Sequence, residues 1–152
     1  MSPGKISQRV AAERLEWIDR MLNEIQSLPL ADFPSFNEDR RNVWTAESCL
    51  RRALEALLYL GRHILAKGFG CGVSEYKEIA SALCKEGVLE EEDAIRMRTL
   101  AGYRNPMVHF YHEITEQELY EICASELSDV NRLAGTLRAW MSQHPDMMDT
   151  SL

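Results

Sequence analysis

The chain has 152 residues, 45% hydrophobic and 27% charged, with a formal net charge of −7. That is one domain's worth, long enough to bury a core. The acidic balance argues against broad, non-specific nucleic-acid binding, which depends on neutralising phosphates with Lys and Arg, but it leaves room for a local basic cleft. No apolar run approaches the ~20 residues a membrane helix needs. Met1-Ser2-Pro3-Gly4-Lys5 lacks the apolar core of a signal peptide, so a cytoplasmic protein without a membrane anchor is expected. Cys49, Cys71, Cys84 and Cys123 form no Cys-x-x-Cys pair and have no zinc spacing. They read as free thiols, and no metal or cofactor is expected.

In chain order, Ala11, Leu15, Ile18, Leu22 and Ile25 recur at steps of 4, 3, 4 and 3, which predicts a helix over 6–28. Pro29 and Pro34 break the pattern in a loop over 29–37, which Phe33 and Phe36 are expected to anchor to the core. Residues 40–67 carry the cleanest stripe, Val43, Ala46, Leu50, Ala53, Leu57, Leu60 and Ile64. Leu54, Leu58 and Leu65 widen it, so this helix is expected to be central and touched from two sides. Gly68 to Gly72 stop it. Ser74 offers an N-cap for a short helix ended by Gly87. The acids Glu90 to Asp93 suit the start of a fourth helix, with Ala94, Met97, Ala101 and Val108 facing inward. Thr115 and Glu118 make a capping box for a fifth helix that ends near Gln143. Trp17, Trp44 and Trp140 read as packing residues. No strand pattern and no repeat is found. The fold expected is an all-α, up-and-down bundle of four to five helices, a single domain over 1–143 with a frayed, flexible tail over 144–152.

One stretch does not read as ordinary helix face: Tyr103-Arg104-Asn105-Pro106-Met107-Val108-His109-Phe110-Tyr111-His112-Glu113. A straight helix advances about 100° per residue. Arg104 and Tyr111 would then share a face, whereas Arg104 and His109 would not. Pro106 between them predicts a kink or break at 104–107 that could bring them together. Guanidinium binds phosphate oxygens bidentately and imidazole moves protons near neutral pH, so the pair suits metal-free RNA cleavage through the ribose 2′-OH. Asn105 could orient either group. An arginine and a histidine five apart are, by themselves, more often a surface pair or a local network. The whole string favours the chemical reading. His63 reads as a half-exposed helix residue and His112 as a surface residue or a border of the cleft.

Arg104 through Tyr111 fits Arg-x4-His-x-Tyr, and so resembles the signature of the HepT-like branch of the HEPN superfamily (higher eukaryotes and prokaryotes nucleotide-binding). The likeness extends over roughly residues 40–140, through the helix Ala53 to Leu65, the stretch Tyr76 to Ile79, the Gly87 turn and Leu100 to Tyr103. The resemblance implies a helical homodimer with Arg and His of both subunits lining a shared cleft. It implies the toxin of a toxin–antitoxin module, a metal-independent endoribonuclease with Arg104 and His109 catalytic, Asn105 supporting and a 2′,3′-cyclic phosphate product. The implied partner is an MNT-type nucleotidyltransferase antitoxin, which in some pairs transfers AMP onto the motif tyrosine, by position Tyr111. This chain departs from the family in having Tyr59 near a position that often holds an acid, and in having Pro106 inside the motif. Two alternatives stay open: a non-catalytic HEPN module that binds nucleotide or RNA and pairs with a nucleotidyltransferase, and a structural dimerisation domain in which Arg104 and His109 bond only each other.

Overall fold

The computed structural model describes residues 4–108 and 114–151, with 105–108 by backbone alone. In chain order these carry β1 (Ile6–Ser7), α1 (Gln8–Gln26), α2 (Phe33–Asn37), α3 (Arg40–Phe69), α4 (Tyr76–Lys85), α5 (Glu91–Val108), α6 (Glu116–Ser125), α7 (Leu127–Gln143), a 3-10 turn (Pro145–Met147) and β2 (Met148–Asp149). The bundle is all-α, as expected. Among the described residues no helix is long and apolar enough to cross a membrane.

The apolar stripes become the core. Ala11, Leu15, Ile18, Leu22 and Ile25 of α1 are buried, and so are all seven stripe residues of α3 together with Leu54, Leu58 and Leu65. With 30 residues α3 is the longest described helix, and α1, α4, α5, α6 and α7 all pack on it. A helix buried on so many sides needs more than one apolar row, and those three leucines supply it. Gly70 ends α3 at φ 64°, a left-handed conformation that glycine adopts without steric cost. Gly61 lets α4 approach closely, because a Cβ there would stand 2.9 Å from Ile79 Cγ2 and 3.1 Å from Leu83 Cδ1. The same approach sets the start of α4, and with it Tyr76, against the middle of α3.

Several local expectations are corrected. The loop after Pro29 contains the helix α2. Asp32 caps it by accepting from Ser35 N at 2.8 Å, and Pro34 sits in the first turn, where a missing N–H costs nothing. The anchoring by Phe33 and Phe36 holds: both rings pack on Tyr120, at 5.7 and 5.5 Å, and Phe36 is fully buried. Glu75 rather than Ser74 precedes α4, with no side-chain cap bond. Trp44 is 61% exposed, whereas Trp140 is buried.

The fifth expected helix is two helices, α6 and α7, which turn at Glu126 (φ −116°, ψ 1°). The Glu126 carboxylate accepts from Tyr103 Oη at 3.1 Å, a bond that rewards the corner and ties it to α5. Burial and this carboxylate push the Tyr103 phenol up to about 12, so it stays a neutral donor. Nor is there a helix break at 104–107. The helix α5 runs through Pro106 to Val108, because a proline this near a helix end removes one ladder bond where little ladder remains.

Residues 144–152 were expected to fray. Instead Met148 and Asp149 pair in parallel with Ile6 and Ser7. Ser7 N also donates to His63 Nε2 at 3.1 Å, so His63 is a docking point for the first residues of the fold. Burial, with Lys67 and Arg14 nearby, holds His63 below its ordinary value of 6.5. The unfolded chain therefore takes up this proton first as pH falls, and the associated stability, present above 6.5, is lost as pH drops through the lowered folded value. The thermal midpoint is expected to fall between about pH 7.5 and about pH 5.5. His63→Gln, which keeps an acceptor without the titration, should flatten that slope, and equal slopes in both proteins would refute the assignment.

Candidate active site

Arg104 is the motif residue whose side chain the structure describes. It reaches a cavity of about 300 Å³ walled by α1, α3, α4 and α5. From α3 come Arg52, Glu55, Tyr59 and Arg62, separated by 3, 4 and 3 positions and hence on one helix face. From α1 come Arg14 and Trp17, and from α4 Tyr76. Among the described lining residues four arginines stand against one glutamate, a formal charge of +3 in a chain whose net charge is −7.

The guanidiniums are held mainly by aromatic faces. Arg104 Cζ lies 4.3 Å and Arg62 Cζ 4.9 Å from the Tyr76 ring centroid. Arg14 Cζ lies 4.1 Å over Tyr59, whose ring also stacks on His63 at 6.4 Å. Such contacts fix a guanidinium plane without spending its N–H donors. The acid beside Arg104 is Glu55, one turn from Tyr59. Its Oε1 is 3.7 Å from Arg104 Nη2 and 3.7 Å from Arg51 Nη1, so one carboxylate is shared by two cations at ion-pair rather than hydrogen-bond distance. The Arg104 side chain is only 18% exposed, yet it makes no side-chain hydrogen bond to a described residue, and its Nε is buried without a partner among them.

Leaving a guanidinium Nε buried without a partner among the described residues is costly, and a phosphate is the ligand whose oxygens match the guanidinium fork. Elsewhere the fold treats its arginines differently. Arg96 Nη1 and Arg132 Nε both donate to the buried Asp93 at 2.9 Å, an ordinary structural pairing between α5 and α7. A larger cavity, about 480 Å³ between the start of α1 and the end of α7, is mainly apolar, and its Arg138 faces Asp19 at 3.7 Å. The thiols offer no nucleophile here. Cys123 is buried and pushed up to about 12 by burial. Among the described residues no group of three or more His, Cys, Asp or Glu could hold a metal ion.

Ribonuclease HepT-like proteins match residues 18–137 of the chain as a family. The chain belongs to this family. It is 26% identical over 133 residues to a protein of Archaeoglobus fulgidus named "Putative RNase", across 81% of this chain and 95% of that one. Its fold is that of the tri-AMPylated HEPN toxin of Shewanella oneidensis, solved in complex with an MNT antitoxin (TM-score 0.77, 18% identity, 86% of this chain and 97% of that one). The cytosolic protein YutE of Bacillus subtilis, of unknown function, shares the fold equally well (TM-score 0.77, 17% identity, 92% and 94%).

Of the residues expected to form the HepT-like site, Arg104 lies in the basic cavity. Asn105 is placed on the last turn of α5 by its backbone. His109 and Tyr111, with His112, lie outside the described residues. Sequence reasoning missed Arg14, Arg52, Glu55, Arg62 and Tyr76 as members of the site. The usable signal was the polar row on α3, since Arg52, Glu55, Tyr59 and Arg62 repeat at the same period as the apolar stripe.

Proposed function

We propose that this chain is the ribonuclease toxin of a HEPN/MNT toxin–antitoxin pair. The observation that carries the reading is Arg104: a nearly buried guanidinium with no hydrogen-bonded partner among the described residues, in a cavity of formal charge +3. In the proposed reaction Arg104 binds the scissile phosphate and neutralises the charge that develops on it. His109 takes the proton from the ribose 2′-OH as that oxygen attacks phosphorus. The bond from phosphorus to the 5′ oxygen breaks, and an imidazolium returns a proton to that oxygen. The products are a 2′,3′-cyclic phosphate and a 5′-hydroxyl, with no metal in the scheme. Asn105 orients the reacting groups. The working form is a homodimer, in which a two-fold axis doubles the cations of one cleft. An MNT-type nucleotidyltransferase neutralises the toxin in the cytoplasm, with Tyr111 as the acceptor of AMP.

Induced expression in a bacterial host tests this directly. Growth arrest by the wild type is expected, with relief by His109→Ala or by co-expression of an MNT-type nucleotidyltransferase. Harmless wild-type protein that is free of adduct and still binds RNA would favour the non-catalytic module instead.

A further inference from the structure

The Tyr76 ring holds two arginines, not one. Arg104 belongs to the family motif, but Arg62 does not, and Arg62 repeats the features that single Arg104 out. Its Nε is buried without a hydrogen-bond partner, and its guanidinium lies over the same ring. Three buried side-chain nitrogen or oxygen atoms lack a partner among the described residues, and two of them are these Nε atoms. Arg62 Nη2 donates to Ser74 O at 3.1 Å, which anchors the guanidinium from one side and leaves Nη1 unspent. Both Cζ atoms lie within 4.9 Å of one centroid. Their separation therefore cannot exceed about 9 Å, whichever faces of the ring they take. Arg14, over Tyr59, extends the same cationic wall.

Structural packing does not account for this cluster. Among the described lining residues Glu55 is the one carboxylate, and the faces of Tyr76 and Tyr59 offset the repulsion among four like charges only in part. A ligand with several negative charges in series does offset them. A lone phosphate would engage one fork and leave the second unused.

We propose that Arg62 and Arg14 form a second phosphate subsite, which holds the RNA strand one or two nucleotides away from the phosphate bound by Arg104, with Tyr76 and Tyr59 as the platforms that set the guanidinium planes. The identity of the strand as RNA rests on the ribonuclease reading; the subsite itself rests on the geometry. The subsite also reconciles strand binding with an acidic chain, because contact is confined to one cavity and the rest of the surface repels nucleic acid.

The test is binding of a labelled 2′-O-methyl RNA, which cannot be cleaved through its 2′ position, in EDTA across a salt series. Wild type is compared with Arg62→Gln, Arg14→Gln and the double variant. Arg9→Gln serves as the control, since Arg9 pairs with Glu13 on α1 and does not line the cavity. Each cavity variant is expected to weaken binding roughly 3- to 10-fold and to lower the salt slope by about one, with the double variant losing about two. Arg9→Gln should bind as wild type, and thermal midpoints should show every variant folded. Wild-type affinity and slope in the double variant would overturn the proposal. Failure of the subsite is distinct from failure of the ribonuclease. A wild type that binds the RNA through Arg62 and Arg14 yet cleaves no unmodified RNA sinks the enzyme and keeps the subsite. Cleavage with unchanged KM in the double variant does the reverse.

Discussion

Arg104→Ala is expected to lower RNA cleavage by roughly 10²–10³-fold, the usual loss when a preorganised donor to a developing anion is removed. The same substitution should leave thermal stability nearly unchanged. Arg104 makes no side-chain hydrogen bond to a described residue, its nearest carboxylate is at 3.7 Å and shared with Arg51, and its departure relieves repulsion from Arg14, Arg52 and Arg62. Arg104→Lys should recover little, because an ammonium neither forks onto two phosphate oxygens nor stacks flat on Tyr76. The combination separates the enzyme from a dimerisation domain in which Arg104 is structural. A large drop in thermal midpoint on Arg104→Ala, with cleavage falling only in proportion to the folded fraction, would support the structural role.

The second large effect concerns Tyr111. Wild-type protein incubated with its nucleotidyltransferase and ATP is expected to gain the mass of AMP and to lose roughly 10²-fold or more of its cleavage. Under the proposed function, AMP on Tyr111 adds bulk and a negative charge that opposes substrate phosphate, and like-charge juxtaposition costs several kcal/mol. Tyr111→Phe lacks the acceptor oxygen and should cleave as the unmodified wild type does, both with and without the nucleotidyltransferase. Loss of activity in Tyr111→Phe through transferred AMP would place the acceptor elsewhere. Inhibition of Tyr111→Phe without any adduct would make the antitoxin a binding inhibitor.

The arrangement that these experiments probe was legible in part. The burial of α1 and α3 follows from apolar residues spaced at the helical period, and every stripe residue named in those helices is buried. What spacing could not convey was where helices turn without a glycine or proline. Glu126 breaks the last expected helix through its own backbone and a bond to Tyr103, a partner 23 residues away. Pro34 and Pro106 mislead in the other direction. The first begins a helix, where a missing N–H costs least, and the second sits in the last turn of one without ending it before Val108. The pairing of Ile6–Ser7 with Met148–Asp149 joins two segments too short to show any alternation.

The site divides the same way. Arg104 was visible because the motif is local. Its neighbours come from three other helices, and only packing brings Arg14, Arg62 and Tyr76 to it. Glu55 shows the limit most clearly. The resemblance directs attention to position 59, where this chain has a tyrosine, while the carboxylate facing Arg104 stands one helical turn earlier on the same face.

The central claim, that this HepT-like chain cleaves RNA with Arg104 and His109 and no metal, is tested most directly by one comparison. Labelled RNA is incubated in EDTA with purified, adduct-free wild type and with His109→Ala, and the product ends are identified. The account predicts cleavage by the wild type alone, leaving a 2′,3′-cyclic phosphate. Cleavage by both proteins, or by neither, would contradict it.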